Sequence, residues 1–273
     1  MHMHALLIKR QKNMKSKSIF VAILLVAIFG AANAQQSTTE VKQDGFNSRV
    51  KSVTSTMYEA VVDEGTMSRG EILERLQTEY NAKGQRRSMT YLSQAEDVIF
   101  RSRYKHDGFG LTTLEQIVDN NEQVIGRTYY VYNANLALTE TYVEDQERQI
   151  ENRILIKYDE AGRVKERSYN DPLNEVYRRE VYTLNGRGLV GKTQVFNRQK
   201  VKFQELRYEY DAIGNPTTKT LFDYTEEDPE IFITKYVYKY DENNNWIQKT
   251  EYRLEGDMMT PMFITERKID YYE

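Results

Sequence analysis

The sequence contains no cysteine in 273 residues. This excludes disulfide staples, thiolate chemistry and a lipidated cysteine at a cleavage site. Histidine is nearly as scarce: of three, only His106 lies beyond residue 34. A Ser-His-Asp set would need a rigid nucleophile for that histidine, and no Gly-x-Ser-x-Gly elbow is present. His106 is therefore expected to be a solvent-exposed turn residue beside Asp107. There is no catalytic set, no cofactor-binding motif and no metal-ligating cluster to read, so the expectation is a protein that is not an enzyme and carries no cofactor or metal.

Long apolar runs are missing too, apart from Ile19 to Gly30. That run follows Lys9, Arg10, Lys12, Lys15 and Lys17 and ends before Ala32-Asn33-Ala34, the small residues required ahead of a signal-peptidase cut. It is too short to span a bilayer comfortably. Residues 1–34 thus read as a signal peptide cleaved near Ala34, with translation starting at Met1 or Met14. Removing them takes away five positive charges and no negative ones, which moves the formal balance from −3 to −8. An acidic chain lacks the basic face a nucleic-acid partner requires. The expectation is a periplasmic or secreted protein with no membrane span after cleavage.

What the sequence does contain is a repeat. Alignment on tyrosine gives copies starting at Tyr80, Tyr104, Tyr132, Tyr158, Tyr182, Tyr210 and Tyr240, spaced by 24 to 30 residues. The fifth position of each copy holds Gly84, Gly108, Leu136, Gly162, Gly186, Gly214 and Asn244, so five of seven are glycine in a chain with only 14 glycines. Asn81, Asn133, Asp159, Asp211 and Asp241 follow their tyrosines, and a short Asx side chain favours the first corner of a turn. The fifth residue must then take positive φ, which glycine does freely and asparagine tolerates. At Leu136, a turn shifted so that Asn135 is left-handed is expected.

Between the turns the period is two. Phe232, Thr234, Tyr236, Tyr238 and Tyr240 alternate with Ile233, Lys235, Val237 and Lys239, and Leu206, Tyr208 and Tyr210 alternate with Glu205, Arg207 and Glu209. One face is aromatic and the other charged, as in an antiparallel sheet with one covered side. Residues 49–62 read as the first strand and 63–68 as a hairpin tip. Ile72, Leu73, Leu76 and Tyr80 also fit a helix face, but the segment occupies a strand slot. Looser loops are expected on the opposite edge at 171–174, 197–200, 223–229 and 255–261.

The domain reading is a signal peptide at 1–34, a disordered lead-in at 35–48 and an antiparallel β-repeat domain at 49–273. The fold expected is all-β: a meander of roughly sixteen strands built from tandem β-hairpins, curled or coiled into an elongated sheet. Closure into a barrel-like or sandwich form is the alternative.

Tyr158-Asp159-x-x-Gly162-Arg163 and Tyr210-Asp211-x-x-Gly214-Asn215 resemble the YD repeats of the Rhs family, over Tyr80 to about Tyr252. The chain is also similar in size to small exported proteins of gut Bacteroidetes that carry such repeats. The resemblance implies a β-strip; the shell and toxin of large Rhs proteins do not carry over, because this chain has few repeats and ends near Tyr272.

Asp241-x-Asn243-x-Asn245 resembles the start of a calcium loop, but Trp246 replaces the glycine and Tyr252 the closing carboxylate. The acids at Glu226, Glu227, Asp228 and Glu230 read as a charged hairpin tip. Aromatic faces stack on sugars and peptides, which makes Tyr236, Tyr238 and Trp246 the candidate ligand-binding residues, with core packing as the competing reading. The functional expectation is a non-enzymatic exported β-repeat protein presenting an extended surface to an envelope protein or a glycan. A carboxylate-dependent hydrolase and a self-associating structural protein are the alternatives.

Overall fold

A computed structural model describes residues 39–273; the signal peptide read at 1–34 lies outside the described residues. One helical turn, α1 (Glu40–Gln43), precedes sixteen strands. They are β1 (Val50–Asp63), β2 (Thr66–Tyr80), β3 (Arg86–Leu92), β4 (Val98–His106), β5 (Thr112–Asp119), β6 (Val124–Tyr132), β7 (Leu138–Glu144) and β8 (Ile150–Tyr158), followed by β9 (Val164–Asn170), β10 (Val176–Leu184), β11 (Val190–Asn197), β12 (Lys202–Tyr210), β13 (Pro216–Asp223), β14 (Glu230–Tyr240), β15 (Trp246–Glu255) and β16 (Met258–Tyr271). Each strand pairs antiparallel with its sequence neighbours.

The ends of the meander meet. β1 pairs with β16 through Val53↔Ile269, Ser55↔Arg267 and Met57↔Thr265, so the sheet is a closed barrel. Closure satisfies the backbone groups that an elongated ribbon leaves open on its first and last strands. The expected all-β meander is thus present in its barrel form, not as a curled open sheet. The helical possibility for the segment ending at Tyr80 falls to β2, which pairs with both β1 and β3.

The turns are more regular than the tyrosine alignment implies. Twelve connections among the described residues share one bond, from the N–H of a first residue to the carbonyl four positions on, with first residues Asn81, Ser93, Asp107, Asp119, Asn133, Asp145, Asp159, Asp171, Asn185, Asn197, Asp211 and Asp241. The first side chain does the capping: Asp159 Oδ1 accepts from the N–H groups of Ala161 and Arg163, and Ser93 Oγ from those of Ala95 and Asp97. The fourth residue is then left-handed.

This geometry corrects four expectations. In the second and fifth copies the left-handed residues are Gly110 and Gly188, not Gly108 and Gly186. The caps there are Asp107 and Asn185, which stand three residues after Tyr104 and Tyr182 instead of one. Leu136 is itself left-handed at φ 61, with no shift to Asn135. The loops at 171–174 and 197–200 are the same capped turn as those at the tyrosine edge. At 255–261 the reversal occupies only Gly256 and Asp257.

The lead-in expected to be disordered is ordered from Thr39 onward. Its α1 and the residues up to Asn47 lie against the tyrosine-turn mouth of the barrel. Val41 N–H donates to Gly84 O, Glu40 takes the backbone N–H of Arg86 and the hydroxyl of Thr112, and Asn47 N–H donates to Asn245 Oδ1 at 2.6 Å. Val41 and Phe46 join Val50, Val53 and Tyr80 in a buried cluster with Ile269 and Tyr271. A polar segment thus gains order by placing its two apolar residues inside. His106 is not an exposed turn residue either: it ends β4 with Nε2 2.8 Å from Glu40 Oε2.

Candidate functional site

Strand register fixes what faces inward. Tyr236 pairs with Glu251, Tyr238 with Lys249 and Lys249 with Thr265, so these share one face with Arg267, Ile269 and Tyr271. That face meets Phe46 and the α1 segment, so it is the inner wall. The outer wall carries Lys235, Lys239, Glu266 and Lys268 on the same strands and Arg103, Lys105, Lys157, Arg207 and Glu209 elsewhere. Tyrosine inside and charge outside is the alternation expected from sequence for Tyr236, Tyr238, Lys235 and Lys239, but Lys249, Glu251 and Arg267 are charges on the inner face.

Tyr236, Tyr238 and Trp246 come together. The Tyr238 and Trp246 ring centroids lie 6.0 Å apart at 57°, and Tyr240 stands 6.1 Å from Tyr238. Lys249 Nζ is 5.7 Å from the centroids of both Tyr236 and Trp246 and pairs with Glu251 at 2.7 Å. The Tyr238 hydroxyl donates to Pro216 O at 2.9 Å. Burial pushes the hydroxyls of Tyr236 and Tyr238 well above the usual tyrosine range, with Glu251 adding to the shift. Both remain partly accessible to water. Their inward register places them toward the interior that a sixteen-stranded barrel encloses.

Charged side chains share that space. Burial raises the carboxyl of Glu74, partly offset by Lys249. Burial lowers the ammonium of Lys219, and Glu251 and Lys249 act on it in opposite senses. Arg267 lies against two rings, 3.3 Å from the Trp246 centroid and 4.7 Å from that of Phe46. Burial lowers its pKa to about 10, although Tyr80, Asp44 and Tyr238 act to raise it.

The carboxylates deeper in the wall are engaged. Glu115 accepts from Tyr104 at 3.2 Å and Tyr130 at 3.1 Å; Glu180 accepts from Tyr169 at 3.0 Å and pairs with Arg178 at 2.6 Å. Asp241 caps its turn through Oδ1 and takes the Tyr271 hydroxyl through Oδ2, which is turn chemistry in place of a calcium loop. Glu226, Glu227 and Asp228 on the β13–β14 connection and Glu230 at the start of β14 are exposed. The turn residues Gly84, Gly162, Gly214 and Asn244 take positive φ as expected.

Sequence reasoning missed Phe46, Lys249 and Arg267. The parity of β16 held the signal for Arg267: it stands two residues from Ile269 and four from Tyr271, a charge on the aromatic stripe.

Fold and inner wall together define a closed antiparallel β-repeat barrel with an aromatic, polar lumen. It is similar to a porin-like protein from Bacteroides uniformis, with a TM-score of 0.52 at 8% identity over 82% of this chain and 99% of that one. A second similar structure is the Tc holotoxin pore of Photorhabdus luminescens, at a TM-score of 0.33 and 11% identity over 79% of this chain and 13% of that chain. No protein-family model matches, and no curated protein matches.

Proposed function

We propose that this is an exported, non-enzymatic binding barrel that holds a glycan in its lumen. One observation carries the reading: on the inner wall Tyr238 and Trp246, aromatics suited to stacking on sugar faces, lie 6.0 Å apart, and Lys249, paired with Glu251, stands 5.7 Å from both Trp246 and Tyr236. Inward placement favours a small or linear ligand over the flat contact with an envelope protein that an extended surface would offer. Closure through β1 and β16 also removes the open edges on which self-association was premised.

The outer wall supports a barrel that works in water. Arg103, Lys105, Lys157 and Lys239 are exposed along its strands. Facing lipid at the bilayer midplane, each such Lys or Arg would cost about 2–4 kcal/mol. The repeated Asx-capped turn is compatible with the YD-repeat relationship that Tyr158-Asp159-x-x-Gly162 suggests.

Trp246 is the single tryptophan, so its emission reports on the candidate site alone. Titration of the mature protein with neutral and acidic oligosaccharides is expected to give a saturable change in emission with at least one of them. A flat signal and no heat of binding across the panel would overturn the reading.

A further inference from the structure

We infer that the lumen ligand is an acidic saccharide whose carboxylate is received by the guanidinium of Arg267. This rests on the lumen as the binding site and names the chemical class it takes.

The geometry of Arg267 is unlike that of its neighbours. Arg86, close by, pairs with Asp44 through two bonds of 2.5 and 2.8 Å, and Lys249 pairs with Glu251 at 2.7 Å. Arg267 differs in its terminal nitrogens, which have no carboxylate within ion-pair distance among the described residues; its buried Nε lacks a hydrogen-bond partner, as does that of Arg86. Nearby Asp44 is committed to Arg86 and to the Tyr80 hydroxyl. A half-buried cation is usually paired, because desolvation is costly when no anion compensates it.

The two rings determine what the partner looks like. Trp246 covers one part of the guanidinium at 3.3 Å and Phe46 another at 4.7 Å, so the N–H groups at its edge are the ones left to donate. At 3.3 Å from a ring centroid the guanidinium stacks flat. A carboxylate suits such an edge, because it accepts two parallel N–H bonds in the guanidinium plane. The adjoining Tyr238 and Trp246 faces then take the sugar ring that bears the carboxylate.

The test is a calorimetric and Trp246-emission titration of the mature protein with tri-galacturonate and with its neutral counterpart, galactotriose. Charge-assisted hydrogen bonds contribute about 1.5–3 kcal/mol, so the acidic trimer is expected to bind at least about tenfold more tightly. Arg267→Gln is expected to abolish that preference and leave neutral binding in place. Arg267→Lys, which keeps charge but loses the planar fork, is expected to recover only part of it. Equal affinity of the wild-type protein for both trimers, or a preference that survives Arg267→Gln, would overturn the inference while the glycan reading stands. If neither trimer binds, the inference falls, and the wider panel above decides whether the glycan reading falls with it. Should Arg267→Gln fail to fold, the wild-type preference decides alone, since it needs no variant.

Discussion

The hydroxyl of Tyr158, at the end of β8, donates to the backbone carbonyl of Leu138, at the start of β7, over 2.6 Å. The same bond recurs between Tyr132 and Thr112 and between Tyr210 and Val190. A repeat tyrosine therefore does more than end a strand: it fastens the far side of its own hairpin at the mouth. The phenol ring fills the inner wall, so Tyr158→Phe removes the bond and keeps the packing. It should lower stability by about 1 kcal/mol, the usual net worth of a protein hydrogen bond. Urea unfolding would measure it, and an unchanged midpoint would show that the ring alone matters.

Turn chemistry separates two glycines that lie two residues apart. Gly110 has φ +85, and a Cβ there would meet Gln85 Nε2 at 2.8 Å; Gly108 has ordinary φ and nothing within 4 Å. Gly110→Ala should cost about 1–2 kcal/mol, the penalty of a left-handed L-residue. Gly108→Ala should be neutral or stabilise by up to about 1 kcal/mol by restricting the unfolded chain. Leu136 at φ 61 presents the reverse case. Leu136→Gly should gain about 0.5 kcal/mol, because the relief exceeds the entropy that glycine adds. Paired denaturation curves test all three, and equal losses at Gly108 and Gly110 would refute the turn assignment.

The same turns show how far the sequence could be read. Strand faces were legible because a period of two leaves no freedom once one face is aromatic. Turn phase was legible only where Asx follows tyrosine directly, as at Asp159 and Asp211. Where Lys105-His106 or Thr183-Leu184 intervene, the capping Asp107 or Asn185 sets the phase and tyrosine misleads. Barrel closure depends on the register between β1 and β16, more than 190 residues apart in sequence, and no local pattern encodes it. Trp246 and Tyr238 could be nominated from residue type. Arg267 required both the register and the placement of Phe46, which comes from a segment whose composition reads as disorder.

That segment should behave as part of the fold. Phe46 is 4% exposed, packs edge-on against Tyr80 at 6.2 Å and covers Arg267. Phe46→Ala should cost about 3 kcal/mol through lost burial and the cavity left behind. Asp44→Ala should cost a comparable amount, because it strips Arg86 of its ion-pair partner inside the mouth. Thermal or chemical unfolding of the mature protein would measure both. Losses below about 0.5 kcal/mol, the range of ordinary surface changes, would mean that residues 40–47 rest on the barrel without sealing it.

The tyrosine lining also fixes how the protein responds to alkali. Burial raises the hydroxyls of Tyr80, Tyr91, Tyr104, Tyr130, Tyr169, Tyr182 and Tyr208 above the usual value near 10, with carboxylates such as Glu115 and Glu180 adding to it; Tyr240 is pushed up to about 12. In the unfolded chain all of them ionise near 10. Below that pH both states hold the proton, so the stabilisation is fully present. Above it the unfolded state sheds protons that the folded state retains, and each tyrosine then withdraws about 1.4 kcal/mol of stability per pH unit until its folded pKa is reached. Several together exceed a typical folding stability of about 5–15 kcal/mol. The expected outcome is one cooperative unfolding within about one to two pH units above 10, with tyrosinate absorbance and loss of β-sheet circular dichroism rising together. Gradual tyrosine ionisation from pH 10 with the sheet signal intact would show the lumen tyrosines to be solvated and free to titrate.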